Sequence, residues 1–251
     1  MKYVLILLGV VLLAIVIWVI NKQGNLNPGN KEEFAVSRMK KLDNSPLKGK
    51  NLIFLGSSVT VGFAGKSESF VHMIEHCDGA NVTLEAVSGT TLVDKPGIMP
   101  GGKSYIERLR TIDKNIKADA FICQLSTNDA TKKYPLGEIA PTGTALEGYD
   151  LDTVIGSIEY VIDYAKQTWN CPVLFYTGTQ YNDKNYEAMV QALKEVAKKW
   201  KIDIINLWDN KELNEKYRSK TYMNDGIHPT RKGYQQWTPY IREGIIKAIN
   251  K

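Results

Sequence analysis

Cysteine and histidine are scarce in this sequence of 251 residues, which has three of each. Cys77, Cys123 and Cys171 lie far apart and form no CxxC pair, so neither a disulfide framework nor a cysteine zinc site is indicated. Blocks of like charge are absent too. The net charge is +5, but the lysines are scattered, which disfavours nucleic-acid binding. An anionic membrane or wall polymer is a better match for such a weakly basic protein.

Long hydrophobic runs are also missing, with one exception at the N-terminus. Val4 to Ile20 is free of charged residues, and as a helix it would be about 26 Å long, close to the thickness of a bilayer core. No small residues suited to signal cleavage follow it, so we expect an uncleaved transmembrane anchor at 4–20. Lys2 before the run and Lys22 after it weakly favour a body on the extracytoplasmic side. Residues 21–47 are predicted to form a polar linker or a strap against the body.

From about residue 48 to the C-terminus, strand and helix patterns alternate. Predicted strands cover 51–55, 82–87, 120–125, 172–176 and 202–207, and predicted helices cover 67–77, 104–116, 150–169, 183–200 and 229–249. Pro229 is expected in the first turn of the last helix. The repeated strand-helix units predict one α/β domain at 48–251, with a five-stranded parallel sheet covered by helices on both faces.

Polar residues follow several of the predicted strands. Ser58 follows the first strand, Ser88-Gly89 the second, Ser126 to Asp129 the third and Thr177 to Asn182 the fourth. Because ligands bind at the carboxyl ends of parallel strands, we expect the functional site at this edge. The long connection from Ala130 to Asp150 fits either a functional loop or a surface excursion.

These residues can support acyl transfer by a serine. Ser58 is the candidate nucleophile, His228 the base, and Asp225, three residues earlier, the acid that orients the imidazole. The backbone N–H groups of Ser58 and Gly89 and the side-chain amide of Asn128 are candidate oxyanion donors. Taken alone, Gly-Ser-Ser could be a solvated turn, and Asp225-Gly-Ile-His228-Pro could cap the last helix.

The combination is more specific than its parts. Gly56-Ser57-Ser58, Gly89, Asn128-Asp129 and Asp225-x-x-His228 resemble, in order and context, the blocks of the SGNH hydrolase (GDSL-like lipase/esterase) family. The resemblance implies a three-layer α/β/α sandwich of flavodoxin-like type, with Ser58, Asp225 and His228 as triad and Ser58, Gly89 and Asn128 as oxyanion hole. Two residues depart from the family pattern. Ser57 stands where Asp is frequent, and Ser126 where Gly is usual.

One competing motif is present in the predicted helix at 67–77. His72-Met-Ile-Glu75-His76 matches the inverted zinc-peptidase signature HxxEH. The helix is predicted to end immediately afterwards at Cys77-Asp78-Gly79, which leaves no continuing helix for a further ligand. We therefore expect His72 and His76 to belong to a solvated polar stripe, and no metal or other cofactor.

The substrate is predicted less sharply than the chemistry. Thr177, Gln180, Tyr181 and Tyr134 are candidate contacts of the kind that suit sugars. The 130–150 loop is charged, at Lys132, Lys133, Glu138 and Glu147, unlike an apolar lipase lid. We therefore expect short acyl esters on an extracellular or cell-wall carbohydrate. Three alternative functions stay open: an acyltransferase, a long-chain lipase or thioesterase, and a surface-binding protein with a vestigial site. The sequence does not predict the oligomeric state.

Overall fold

The computed structural model describes residues 24–96 and 102–251. The expected anchor at 4–20 lies outside these ranges. Inside them, every helix is too short or too polar to cross a bilayer.

A parallel sheet of five strands forms the centre of the molecule. The strands are β1 (Asn51–Gly56), β2 (Asn81–Ala86), β3 (Ala120–Gln124), β4 (Val173–Tyr176) and β5 (Asp203–Ile205), in the spatial order β2-β1-β3-β4-β5. This is the flavodoxin-like order, in which the chain switches direction across the sheet between β1 and β3. The expected five-stranded sheet and three-layer fold are confirmed.

Helices cover both faces of the sheet. They are α1 (Ser58–Val61), α2 (Phe70–Asp78), α3 (Tyr105–Leu109), α4 (Thr127–Lys132), α5 (Val154–Trp169), α6 (Lys184–Trp200), α7 (Lys211–Lys216) and α8 (Arg231–Ile249). In β1, Ile53 and Leu55 pack on the side of α3, α5 and α6, and Leu52 and Phe54 pack on the side of α2 and α8. The alternation follows from the two-residue repeat of a strand, and it gives the sheet two apolar cores.

Four helix predictions need correction. The helices expected at 67–77 and 150–169 begin later, at Phe70 and Val154, with Ser69 and Thr153 as their caps. The helix expected at 104–116 ends at Leu109, because the Thr111 hydroxyl bonds the carbonyl of Arg108 and a turn at Asp113 follows. The last helix begins at Arg231 with Thr230 as its cap. Pro229 lies outside the first turn and instead forms an isolated bridge with Met223.

The segment 24–47 lies against the body, which makes it a strap in its described part. Its centre is Asn30, which is 1% exposed. The Asn30 amide donates to the carbonyls of Gly24 (2.7 Å) and Ala64 (2.6 Å), and its oxygen accepts the N–H of Arg231 (2.7 Å). One buried side chain therefore ties the beginning of the described chain to the loop after α1 and to the start of α8.

The 130–150 loop is held on the outer side of α5 and α6. The buried carboxylate of Glu159 accepts the N–H of Ala140 (2.7 Å) and pairs with Lys199, whose ammonium also bonds the carbonyl of Ala140 (2.6 Å). These contacts fix the loop as a surface excursion along the helices.

Candidate active site

Ser58 begins α1, directly after β1. The turn is tight, since a Cβ on Gly56 would lie 1.7 Å from the Thr60 hydroxyl and 3.0 Å from Gln124 Oε1. Only glycine permits this close approach without moving the neighbours. The turn therefore places the Ser58 hydroxyl at the carboxyl edge of the sheet, beside the switch between β1 and β3.

The neighbouring serine points elsewhere. Ser57 is fully buried, and both its N–H (2.9 Å) and its hydroxyl (3.3 Å) bond Gln124 Oε1. The Thr60 hydroxyl bonds the same oxygen at 2.7 Å. Ser57 thus anchors the turn to β3. This contact gives a structural role to the serine that stands where the family often has Asp.

Ser58, His228 and Asp225 form a continuous hydrogen-bonded chain. His228 Nε2 lies 2.8 Å from Ser58 Oγ, and His228 Nδ1 lies 2.9 Å from Asp225 Oδ2. The ring of Phe63 packs beside the imidazole, with centroids 5.6 Å apart. This is the arrangement in which a base takes the proton of a serine while a carboxylate fixes the tautomer of the base.

Asp225 is held in its ionised form. Burial raises its pKa, but the hydrogen bond and charge of His228 and the N–H groups of His228 and Ile227 outweigh burial and lower the pKa to about 2. The carboxylate is therefore charged at any ordinary assay pH, and it favours the imidazole tautomer with its proton on Nδ1.

Three candidate oxyanion donors follow β1, β2 and β3 at the same edge of the sheet. As the first helical residue, Ser58 has an N–H with no acceptor inside α1. Gly89 has a φ of +79°, and its N–H has no backbone acceptor elsewhere among the described residues. The Asn128 amide donates one hydrogen to the carbonyl of Thr90 at 2.8 Å, which places the amide beside Gly89 and leaves its second hydrogen available.

Two positioning residues were missed in the sequence. Asp129 is buried, and its carboxylate accepts the N–H groups of Leu92 and Val93, both at 2.9 Å. Burial raises its pKa to about 6, against the opposing effect of hydrogen bonds from Ser126, Val93 and Leu92. Asp129 thereby fixes the loop that carries Gly89 to the start of α4.

Arg108 is the second such residue and is 5% exposed. Its guanidinium donates to the carbonyl of Gly56 (2.8 Å), the carbonyl of Glu85 (2.8 Å) and the hydroxyl of Thr90 (2.9 Å). It therefore joins the nucleophile turn to the Gly89 loop. A sequence signal existed, because Arg108 falls on the same helical face as the apolar Tyr105 and Leu109.

Asn128→Ala is expected to lower turnover by roughly 10²- to 10³-fold, the usual effect of losing one oxyanion donor. Covalent labelling of Ser58 by a fluorophosphonate should persist in part, since Ser58 and His228 are untouched. Asn115→Ala, which removes an exposed asparagine from a turn, is the control and should keep full turnover. Full turnover in Asn128→Ala would remove this residue from the oxyanion site.

The four expected substrate contacts are placed differently from one another. Thr177 is fully buried and its hydroxyl accepts the N–H of Trp208 (3.0 Å), so this hydroxyl holds the loop after β5 to the end of β4. Gln180 and Tyr181 line a groove of about 910 Å³, which we call the Tyr181 groove. Tyr181 lies 3.7 Å from a Cβ placed on Gly226, so this groove adjoins the Asp225 loop. Tyr134 is not among the residues that line this groove, and the ammonium groups of Lys95 and Lys132 lie over its ring.

A second groove, of about 610 Å³, is lined in part by Phe63, whose ring packs on the imidazole of His228. We call it the Phe63 groove. Its lining residues are Asn25, Val61, Phe63, Lys66, Ser67, Ala86, Val87 and Ser88. Each groove thus comes close to the triad through one of its lining residues, Tyr181 beside Gly226 and Phe63 beside His228.

The two histidines of the HxxEH motif have local structural contacts. His72 Nδ1 accepts the N–H of Ser69 (3.1 Å) in the capping box of α2, and burial lowers its pKa. His76 Nε2 bonds the carbonyl of Met39 (3.1 Å). The solvated stripe expected here is thus half-buried and hydrogen-bonded. Across 24–96 and 102–251, no three His, Cys, Asp or Glu side chains gather as a metal site would require.

Comparison with solved structures shows the fold again. A protein from Bacteroides ovatus described as a GDSL-like lipase is 18% identical, with a TM-score of 0.59 over 80% of this chain and 99% of its own. An acetyl xylan esterase is 17% identical, with a TM-score of 0.57 over 77% and 98% of the two chains. A carbohydrate esterase family 2 enzyme from Corynascus thermopiles is 13% identical, with a TM-score of 0.53 over 84% and 69%.

A search of curated proteins found no match. The model of the GDSL-like lipase/acylhydrolase family matches residues 54–236, a range that includes Ser58, Gly89, Asn128, Asp225 and His228. With most of the chain matched and the sheet order in agreement, this protein belongs to the GDSL-like lipase/acylhydrolase family, the SGNH hydrolases.

Proposed function

We propose that this protein is a serine esterase that hydrolyses short acyl esters, acetyl esters above all, on an extracellular or cell-wall carbohydrate. The observation that carries the proposal is the hydrogen-bonded chain from Ser58 through His228 to Asp225.

The geometry supports a two-step reaction. His228 Nε2 takes the proton of Ser58 as its oxygen attacks the ester carbonyl, and the carbonyl oxygen becomes negative. The N–H groups of Ser58 and Gly89 and the amide of Asn128 stabilise that charge. Collapse of the intermediate breaks the ester C–O bond, and the proton on His228 goes to the leaving alcohol. Water, activated by His228, then releases the acid from Ser58.

The preference for a short acyl group rests on the surroundings of Ser58. The Tyr181 groove is lined by polar and charged side chains, among them Asn182, Asp209 and Arg218, which suit hydroxyl-rich ligands. The 130–150 loop carries Lys132, Lys133, Glu138 and Glu147 and is fixed on α5 and α6, unlike an apolar lid over a long acyl chain. An acetyl xylan esterase and a family 2 carbohydrate esterase are among the structural neighbours, which is consistent with such a substrate.

Acetyl and butyryl esters should be hydrolysed with clearly higher kcat/KM than palmitoyl esters. The reason is that each added methylene must find apolar surface to gain affinity, and the grooves beside Ser58 offer little. Rates on p-nitrophenyl esters of increasing chain length test this, and parallel reactions with added carbohydrate acceptors detect acyl transfer. Equal or higher rates on palmitoyl esters would replace this proposal by a lipase or thioesterase.

The same proposal includes a membrane anchor at 4–20 and a catalytic domain on the extracytoplasmic side. Protease added to intact cells should release a soluble fragment that retains esterase activity, because added protease reaches a domain on the extracytoplasmic side and not one in the cytosol. Protection of the domain from protease, or its recovery in the cytosol, would contradict the topology.

A further inference from the structure

The tether between the proposed anchor and the body is very short. Gly24 has a φ of +71°, and a Cβ there would lie 2.3 Å from the carbonyl of Ala64. The buried Asn30 amide holds the carbonyls of both Gly24 and Ala64. Asn27 adds a bond from its amide to the carbonyl of Lys220 (2.9 Å). The chain is therefore fixed to the body from Gly24 onwards, rather than from about residue 48.

The point where the tether meets the body is the rim of the Phe63 groove. Asn25 lines this groove together with Phe63 and Lys66, and Phe63 packs on His228. Leu26, the next residue of the strap, is 68% exposed, and Val87 on the groove wall is 43% exposed. Exposed apolar side chains at such a rim, with the cationic Lys66 beside them, suit contact with the head groups of an anionic bilayer.

Chain length sets the distance between this rim and the bilayer. Four residues lie between Ile20 and Asn25, so the two are five residue steps apart and at most about 17 Å from each other when the chain is fully extended. Head groups occupy roughly 5 to 7 Å of that distance on each side of the hydrocarbon core. The mouth of the Phe63 groove must then lie at, or just above, the head-group layer.

We infer that the Phe63 groove opens onto the membrane surface, and that the ester substrate is a membrane-resident amphiphile: a short acyl ester on a sugar head group attached to a lipid. The lipid stays in the bilayer, and the acylated sugar reaches Ser58 through the Phe63 groove. This inference rests on the proposed esterase function and anchor, and it narrows the carbohydrate substrate to one that is held at the bilayer.

Cysteine labelling tests the orientation without any need for activity. The full chain is reconstituted in vesicles of phosphatidylcholine and phosphatidylglycerol that carry a head-group spin label, and a fluorophore is attached at Leu26→Cys, Val87→Cys or Leu136→Cys. The natural cysteines Cys77, Cys123 and Cys171 are buried, and labelled wild type supplies the blank. Leu136 is exposed in the 130–150 loop next to α5, so it is the matched control.

Quenching should be several-fold stronger at Leu26→Cys and Val87→Cys than at Leu136→Cys. Equal quenching at all three positions, or none at the first two, would overturn the inference. Failure of the protein to float with the vesicles would remove the anchor and the inference together. Selective quenching in a protein without esterase activity would refute the proposed function while the orientation stands.

A spacer tests the substrate class. Helical Glu-Ala-Ala-Ala-Lys repeats inserted between Gln23 and Gly24 lift the body from the bilayer by tens of ångströms, at about 1.5 Å per residue. Hydrolysis of an acetylated glycolipid in the vesicles should fall at least ~10-fold because the local substrate concentration is lost. Hydrolysis of a water-soluble acetyl ester should not change. An unchanged rate on the glycolipid would refute a membrane-held substrate.

Discussion

Ser58→Ala should remove covalent labelling by a fluorophosphonate and lower turnover by roughly 10⁴- to 10⁶-fold, the range found when a serine nucleophile is lost. Its hydroxyl is the one that lies 2.8 Å from His228 Nε2. Alanine leaves the start of α1 unchanged, since no side-chain bond of Ser58 other than that to His228 is present within the described residues. Labelling intensity on a gel and kcat on an acetyl ester are the two measurements.

Ser57→Ala is the matched control, one residue away. Its hydroxyl makes a long bond of 3.3 Å to Gln124 Oε1, and the stronger bond to that oxygen comes from the backbone. Labelling should therefore survive in Ser57→Ala. If labelling instead vanished there and persisted in Ser58→Ala, the nucleophile would be Ser57; normal turnover in both variants would exclude a serine mechanism.

His228→Ala is expected to have an effect of similar size, again roughly 10⁴- to 10⁶-fold in kcat, because triad residues act as a unit. For the same reason, the double variant Ser58→Ala/His228→Ala should be no worse than either single variant. Asp225, with its pKa of about 2, stays ionised throughout a normal assay, so protonation of this carboxylate should not contribute to the wild-type pH profile.

His76→Ala controls for the loss of a histidine. His76 lies on α2 and bonds the carbonyl of Met39 in the strap. Its replacement by alanine should leave kcat unchanged. Treatment with a zinc chelator should also leave kcat unchanged. Loss of activity in His76→Ala or after chelation, with activity retained in His228→Ala, would favour the HxxEH interpretation over the serine mechanism.

The parts of the site that could be predicted from sequence are those with a local cause. Asp225 and His228 are three residues apart, so one turn of backbone brings their side chains together, as observed. Ser58 follows an apolar strand and a glycine. This pattern predicts that Ser58 lies in the turn after a strand, at the carboxyl edge of the sheet. Strand positions were predictable for the same reason, since β1, β3 and β4 are short apolar runs buried on both faces.

What could not be predicted depends on contacts between distant parts of the chain. Asn30 bonds Arg231 across a separation of 201 residues. A strap was one of the two predictions for residues 21–47, but nothing near Asn30 in the sequence identifies its partner. Thr177 follows a strand, as the other site residues do, but the partner of its hydroxyl is the N–H of Trp208, which only the packed sheet reveals. Arg108 is similar, because three of its acceptors come from β1, β2 and the following loop.

Arg108 also has a consequence for how the molecule is assembled. Its guanidinium is enclosed by Gly56, Glu85 and Thr90, and a buried charge is tolerated only when its acceptors are in place. β1 must therefore have paired with β2, and α3 must have docked, before this cation can leave water. Because the same cation fixes the turn of Ser58 and the loop of Gly89, a folding intermediate that lacks any of these elements has no organised nucleophile. Hydrolytic activity would thus require β1, β2 and α3 to be assembled first.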